Sequence, residues 1–163
     1  MPVKRLKAIA AMSSNEVIAQ NGVIPWHEDK DMRWFKQMTI NNVVIMGRKT
    51  FESLRGKPLP NRHNIVITRS HRYLHADVET LDSLDLLHPE NDKREYFICG
   101  GAELYHQTLD RCSDLYLTTV KIPVYGMSLT YFPFDLVSQY YKIDSIIYDD
   151  KDISIVHYVN NNL

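Results

Sequence analysis

A chain of 163 residues with 44% hydrophobic and 24% charged residues is long enough to bury a core, and its composition excludes a disordered or fibrous protein. A formal net charge of -1 removes any bulk attraction to nucleic acid. The two cysteines, Cys99 and Cys112, lack metal-ligand spacing and point to a reduced, cytoplasmic protein, and the basic start at residues 1–7 leads into an apolar run too short for a signal peptide or a membrane span.

Residues 6–12 are apolar apart from Lys7 and predict a buried strand, closed by Ser13-Ser14-Asn15. Residues 15–29 predict a loop, with Asn21-Gly22 as a turn and Pro25 as a breaker. A helix is expected over 29–38, a short buried strand over 43–46, and a second helix from Gly47 to about residue 54. Gly56, Pro58 and Pro60 mark a loop. The β-branched segment 64–68 predicts a strand. A helix is expected over 81–87, a strand over 96–99 ending in Gly100-Gly101, a helix over 102–109 and a strand over 115–121. Residues 140–148 and 153–159 flank Asp149-Asp150-Lys151-Asp152 as an antiparallel hairpin. The alternation predicts one α/β domain over 1–163. Its sheet is central, mostly parallel and twisted, with about eight strands, an antiparallel C-terminal edge hairpin and helices on both faces.

One carboxylate falls on the wrong side of its helix. At about 100° per residue, Trp34, Phe35 and Met38 lie within roughly 60° of Asp31. Asp31 therefore sits in the apolar stripe, where a charge is costly without a partner, a proton or a ligand, and burial raises its pKa. An Asp near a helix start is more often a cap. Asp29 precedes the periodic residues and is the better cap, which leaves Asp31 without a structural task.

Two strand-glycine-helix junctions follow. At Gly47-Arg48-Lys49-Thr50 two cations fall at a helix start, where the dipole disfavours them unless an anion binds to the free N–H groups. At Gly100-Gly101 two glycines allow a ligand close to a second helix start. Each junction alone reads equally as a basic corner or a tight turn, and neither matches GxGxxG or a Walker loop. Together they suit the phosphates of a dinucleotide. Thr50 and Ser53 add hydroxyls, and Arg69 adds a cation that could meet a 2′-phosphate. The seven histidines (27, 63, 71, 75, 88, 106, 157) show no metal spacing, so no metal is expected, and no GxSxG elbow is present. Arg62, taken alone, reads as a solvated loop arginine or a carboxylate grip.

The segments Ile9-Ala10-Ala11-Met12, Ile24-Pro25-Trp26, 31–36, 45–53, Pro58-Leu59-Pro60-Asn61-Arg62, 98–105, Leu117-Thr118 and Tyr131-Phe132-Pro133, in this order and spacing, resemble the dihydrofolate reductase family along nearly the whole chain. That resemblance implies NADPH-dependent reduction of 7,8-dihydrofolate to tetrahydrofolate. Hydride would pass from the nicotinamide to C6, and the proton on N5 would come from solvent, promoted by Asp31. It implies that Asp31 binds the pterin amino group and ring N–H, that Thr118 hydrogen-bonds Asp31, and that Arg62 pairs with the glutamate α-carboxylate. Ile9, Ala11, Met32, Phe35, Leu59 and Cys99 would wall the substrate, with Lys57 near its tail.

For the cofactor, the resemblance implies Gly47, Arg48, Lys49, Thr50, Thr68, Arg69 and Ser70 around the adenosine 2′-phosphate and pyrophosphate. Cys99, Gly100, Gly101, Ala102, Glu103, Leu104 and Tyr105 would hold the nicotinamide half with Ala11, the two glycines being joined by a cis peptide. Ile18, Ala19, Gly22, Val23 and Ile24 match a mobile loop over the nicotinamide. A monomer and sensitivity to antifolate inhibitors are also implied, with no nucleic-acid or membrane partner.

Several departures stand out. Ala19 replaces a usual glycine, and Leu129 stands where an aspartate is expected in a longer partner segment, Gly126 to Pro133. Hydrogen bonds that close the mobile loop are therefore expected to be missing, with altered closure kinetics and intact chemistry. Arg55-Gly56 adds a residue, and Lys57 replaces a frequent arginine. The related reductase domain of riboflavin synthesis, and a non-catalytic nucleotide-binding relative, remain the alternatives.

Overall fold

The computed structural model describes residues 5–70 and 75–163; the first four residues of the basic start, and His71, lie outside the described residues. The strands and helices run β1 (Lys7–Ser13), β2 (Val17–Gln20), α1 (Asp29–Thr39), β3 (Val43–Gly47), α2 (Arg48–Ser53), β4 (His63–Ile67), β5 (Val78–Leu81), β6 (Tyr96–Ile98) and α3 (Ala102–Thr108). Then come β7 (Asp114–Val120), β8 (Leu129–Tyr131), α4 (Phe134–Tyr140), β9 (Tyr141–Asp149) and β10 (Ile153–Asn160). Eight strands form one sheet in the order β5-β4-β3-β6-β1-β7-β10-β9. All pairs from β5 to β7 are parallel, and β10 pairs antiparallel with both β7 and β9.

The unbroken apolar runs of β1, β3 and β6 lie at the middle of this sheet because both of its faces are covered. Val43 and Ile45 point to one face, with Leu104 and Leu109 from α3 and its end, and Val137 from α4. Val44 and Met46 point to the other, with Phe51 of α2. Further along that second face, Val120, Ile153 and Ile155 pack against Trp34 of α1. Alternation along β7 then fixes Thr118 on the α1 side, because Leu115 and Leu117 belong to the opposite core.

Some expected elements differ. The segment 15–29 is not all loop: β2 pairs antiparallel with β8 in a separate two-stranded ribbon. The helix expected over 81–87 is absent. Residues 78–81 instead form edge strand β5, parallel to β4, followed by a single 3-10 turn at Leu84–Leu86. Of the four leucines in 81–87 only Leu84 is buried, and Ser83 accepts the Asp85 N–H at 3.1 Å, which completes the turn locally. Helix α4 was not anticipated, since its apolar residues lie between a proline and the hairpin strand without a cap signal.

Candidate active site

A cleft of about 1430 Å³ opens along the sheet where β1, β3, β4 and β6 end, large enough for a substrate and a dinucleotide side by side. Asp31 enters it from the first turn of α1. The cap of that helix is Glu28, not Asp29: Glu28 is extended (φ -136°, ψ 104°) and its side chain accepts the Lys30 N–H at 3.2 Å. Asp29 is already helical, and its carboxylate meets His27 Nε2 at 2.8 Å. Capping thus falls to a neighbour, and Asp31 is left facing inward.

Burial raises the Asp31 pKa above the ordinary 3.8; the Thr118 hydroxyl, hydrogen-bonded to the carboxyl, opposes the shift, and the nearby Glu28 carboxylate adds to it. Thr118 is itself fully buried behind the cleft wall and does not line it. No basic side chain pairs with Asp31 among the described residues. The carboxyl therefore has an unused hydrogen-bonding edge toward the cleft.

Ile9, Ala11, Met32, Phe35, Leu59 and Cys99 all line the cleft around Asp31. Burial pushes the Cys99 thiol up to about 12, so it serves as a small apolar wall. Arg62 lines the same half. Its Nε donates to Pro60 O at 2.9 Å and its Nη1 to Thr39 Oγ1 at 3.1 Å, and its guanidinium lies 5.9 Å from the centroid of the Phe35 ring. Held in this way, it is a fixed fork with donors to spare. Burial lowers its pKa from the ordinary arginine value. Lys57 is exposed and is not part of the cleft.

The other half collects the basic and hydroxyl residues. Gly47, Arg48, Lys49, Thr50, Thr68 and Arg69 line it, whereas Ser70 does not. Arg48 lies 3.5 Å from Glu52; neither Lys49 nor Arg69 has an acidic partner among the described residues. Gly100 and Gly101 are joined by a cis peptide, and a Cβ added at Gly101 would lie 3.3 Å from Thr50 Oγ1. A Cβ added at Gly47 would meet nothing within 4 Å, so backbone there is open to the cleft. Ala102, Glu103, Leu104 and Tyr105 also line this half, and the Tyr105 hydroxyl donates to Ile9 O at 2.7 Å. Unpaired cations, hydroxyls and exposed glycine backbone fit a phosphorylated dinucleotide.

The rim is the β2–β8 ribbon. Ile18, Ala19, Gly22 and Ile24 line the cleft, while Val23 points to solvent. The departures at Ala19 and Leu129 are absorbed by backbone. Ala19 pairs with Thr130 and Gln20 with Leu129 in the ladder. Asn21 N–H donates to Ser128 O at 3.1 Å, and Phe132 N–H to Glu16 O at 2.8 Å. The left-handed turn falls on Asn21 (φ 52°) and Gly22 (φ 79°), so Ala19 needs no glycine conformation. Main-chain pairing thus joins the two segments in spite of these departures, while Leu129 offers no side-chain hydrogen bond where an aspartate would.

Sequence reasoning overlooked Ile67, Asp82, Ser83, Gln107, Arg111 and Thr130 in the cleft wall. Asp82 and Ser83 follow β5 and Thr130 lies in β8, two strands that carried no clear signal. Arg111 and Asp85, brought within 3.6 Å of each other from distant segments, show why spacing alone could not find them.

The profile of the dihydrofolate reductase family matches residues 5–160. The chain belongs to the dihydrofolate reductase family. It is 41% identical over 129 residues to the type 3 dihydrofolate reductase of Salmonella typhimurium, covering 78% of each chain. It is 42% identical over 123 residues to the dihydrofolate reductase of Neisseria gonorrhoeae, covering 75% of this chain and 76% of that one. The structure of the Enterococcus faecalis dihydrofolate reductase complexed with NADP(H) and RAB-propyl matches with a TM-score of 0.81, at 28% identity and 96% coverage of both chains. The reaction is that of the family, reduction of 7,8-dihydrofolate to tetrahydrofolate with NADPH. No helix among the described residues is long and apolar enough to cross a membrane, and no group of three or more metal-ligating side chains occurs among them.

Proposed function

We propose a division of labour in this dihydrofolate reductase in which Asp31 holds the pterin and promotes its protonation, Arg62 holds the tail, and the Arg48 to Arg69 half holds the cofactor. The observation that carries this reading is the buried Asp31, hydrogen-bonded to Thr118 but without a basic partner. A 2-amino-4-oxo heterocycle offers two adjacent donors to such a carboxyl. Ile9, Met32, Phe35 and Leu59 exclude water around the ring, which strengthens that contact. With its raised pKa, Asp31 increases the chance that a solvent-derived proton reaches N5. NADPH, when bound, supplies the hydride. Arg62 grips the glutamate α-carboxylate, a role its fixed fork suits.

In this reading Ala11, Gly100 and Gly101 seat the nicotinamide ring beside the pterin, and Thr50, Thr68, Lys49 and Arg69 meet the phosphates; all of them line the one cleft. Each copy carries a complete cleft, so the catalytic unit is a single chain. A cytoplasmic enzyme open to antifolate competition at Asp31 is consistent with this arrangement. The β2–β8 ribbon governs release of the cofactor more than the chemistry.

The direct test is to mix the chain with NADPH and either dihydrofolate or the ribosylamino-pyrimidine of riboflavin synthesis and follow nicotinamide absorbance. Loss with dihydrofolate alone is expected; loss with the pyrimidine alone overturns the reading. Arg69→Ala is expected to weaken NADPH binding about 10-fold or more while leaving NADH binding within about 2-fold. Equal losses for the two cofactors, measured by fluorescence titration, would show that Arg69 does not read the 2′-phosphate.

A further inference from the structure

Lys30 lies in the first turn of α1, where the helix dipole disfavours a cation. Its ammonium reaches out of the helix to the turn of the β9–β10 hairpin, where it donates to Asp150 Oδ2 and, at 3.0 Å, to Asp152 Oδ2. Lys30 does not line the catalytic cleft, yet it is joined by a peptide bond to Asp31, which does. The hairpin turn is built to receive it. Asp150 Oδ1 accepts the N–H groups of Asp152 and Ile153, each at 2.8 Å, and Oδ2 accepts the Tyr148 hydroxyl at 2.7 Å. The Lys30 ammonium, above all, holds the Asp150 carboxyl well below the usual carboxylate range, so the bridge persists through neutral pH.

This bridge closes a ring around Asp31. From Asp150 and Asp152 the chain enters β10, where Ile153 lies opposite Val120 of β7 and Ile155 opposite Thr118. Thr118 hydrogen-bonds the Asp31 carboxyl, and Asp31 leads back to Lys30. The Lys121 N–H donates to Asp152 O at 2.8 Å and fixes the hairpin turn to the end of β7. Trp34 of α1 packs against Val120, Ile153 and Ile155, between the two sides of the ring. The neighbouring Asp29 turns to His27 and not to the sheet. Within the first turn of α1, the hydrogen bonds to the sheet and its hairpin are therefore those of Lys30 and Asp31, among the described residues.

We propose that Lys30 is a positioning residue for the reaction: by tying the first turn of α1 to the hairpin, it fixes how Asp31 stands against Thr118 and the cleft. This role rests on Asp31 holding the pterin, as proposed for the active site. Two carboxylates match the Lys30 charge, so it acts on Asp31 through place and not through field; the charge that acts on Asp31 is that of Glu28. An exposed ion pair contributes little to stability, but a reacting group displaced by about 1 Å can lower turnover by about 100-fold. Released from the hairpin, the first turn lifts and water reaches the carboxyl.

Lys30→Met tests this. Turnover with dihydrofolate at neutral pH is expected to fall about 10-fold, KM for NADPH to stay within about 2-fold, and Lys30→Arg to keep at least about half of the wild-type turnover. In Lys30→Met the titration midpoint of the Asp31 carboxyl, followed by carbon-13 NMR, is expected to fall toward 3.8, because water beside the loosened turn relieves its burial. Loss of a positive charge alone would move the midpoint the other way. Glu28 at the helix cap and Tyr105 of α3, the other ionisable groups coupled to Asp31, are left in place by this substitution. Asp150→Asn is expected to add no further loss of turnover in the Lys30→Met background. Unchanged turnover in Lys30→Met, where Asp31→Asn is impaired, overturns the proposal. So does a midpoint that rises, or an added loss from Asp150→Asn. Should Asp31→Asn itself keep full turnover, the part assigned to Asp31 fails first and that of Lys30 falls with it.

Discussion

Asp31→Asn is expected to lower turnover with dihydrofolate at neutral pH by at least ~100-fold. Asparagine keeps the size of the side chain and a partner for Thr118, so the cleft keeps its shape. What is lost is the acid that pairs with the pterin and favours its protonation. Because the proton comes ultimately from solvent, the deficit is expected to shrink as pH falls, when bulk protonation replaces the missing group. Steady-state assays of both forms from neutral to mildly acidic pH measure this; a deficit independent of pH would assign Asp31 to binding alone.

The same substitution is expected to stabilise the fold at neutral pH. Burial raises the Asp31 pKa above 3.8, so between that value and the raised one the folded chain binds more protons than the unfolded chain. Stability contributed by this site therefore falls as pH rises through that window, and the penalty is complete above it. Asparagine removes the penalty, so Asp31→Asn is expected to raise the urea midpoint at neutral pH and leave it unchanged below pH 3.8. An activity loss joined to a stability gain is the pattern of a functional group placed at some energetic cost.

The second large effect is expected at the other end of the substrate. Arg62→Leu is expected to raise KM for dihydrofolate ~100-fold while kcat changes only a few-fold, since a charge-assisted pair with the tail is lost and the reacting ring keeps its contacts. The arginine fork is held by Pro60 O, Thr39 Oγ1 and the Phe35 ring, so its orientation is set before any ligand arrives. A dihydropterin without a glutamate tail provides the control. It should bind wild type and variant equally well; a matching loss with that compound would mean that Arg62 acts by supporting Phe35 and not by gripping a carboxylate.

Much of this was legible in the sequence where one physical signal dominated. The apolar runs at β1, β3 and β6 could only be central strands, and the misplaced Asp31 was visible from helical periodicity alone. The C-terminal hairpin was marked by its four-residue polar turn. What stayed hidden depends on partners distant in sequence. β2 and β8 are short and mixed in polarity, and each is a strand only because the other lies beside it. β5 exists because β4 offers it an edge, and without it Asp82 and Ser83 could not be placed at the cleft. Glu28 outcompeted Asp29 as a cap because the longer side chain reached back to Lys30 while Asp29 was drawn to His27.

Titration of the Asp31 side-chain carboxyl by carbon-13 NMR, assigned with Asp31→Asn, bears most directly on the central claim. A midpoint clearly above 3.8 in the free chain is predicted, shifting again when a 2-amino-4-oxo pteridine binds. A midpoint at or below 3.8, indifferent to that ligand, would contradict the account.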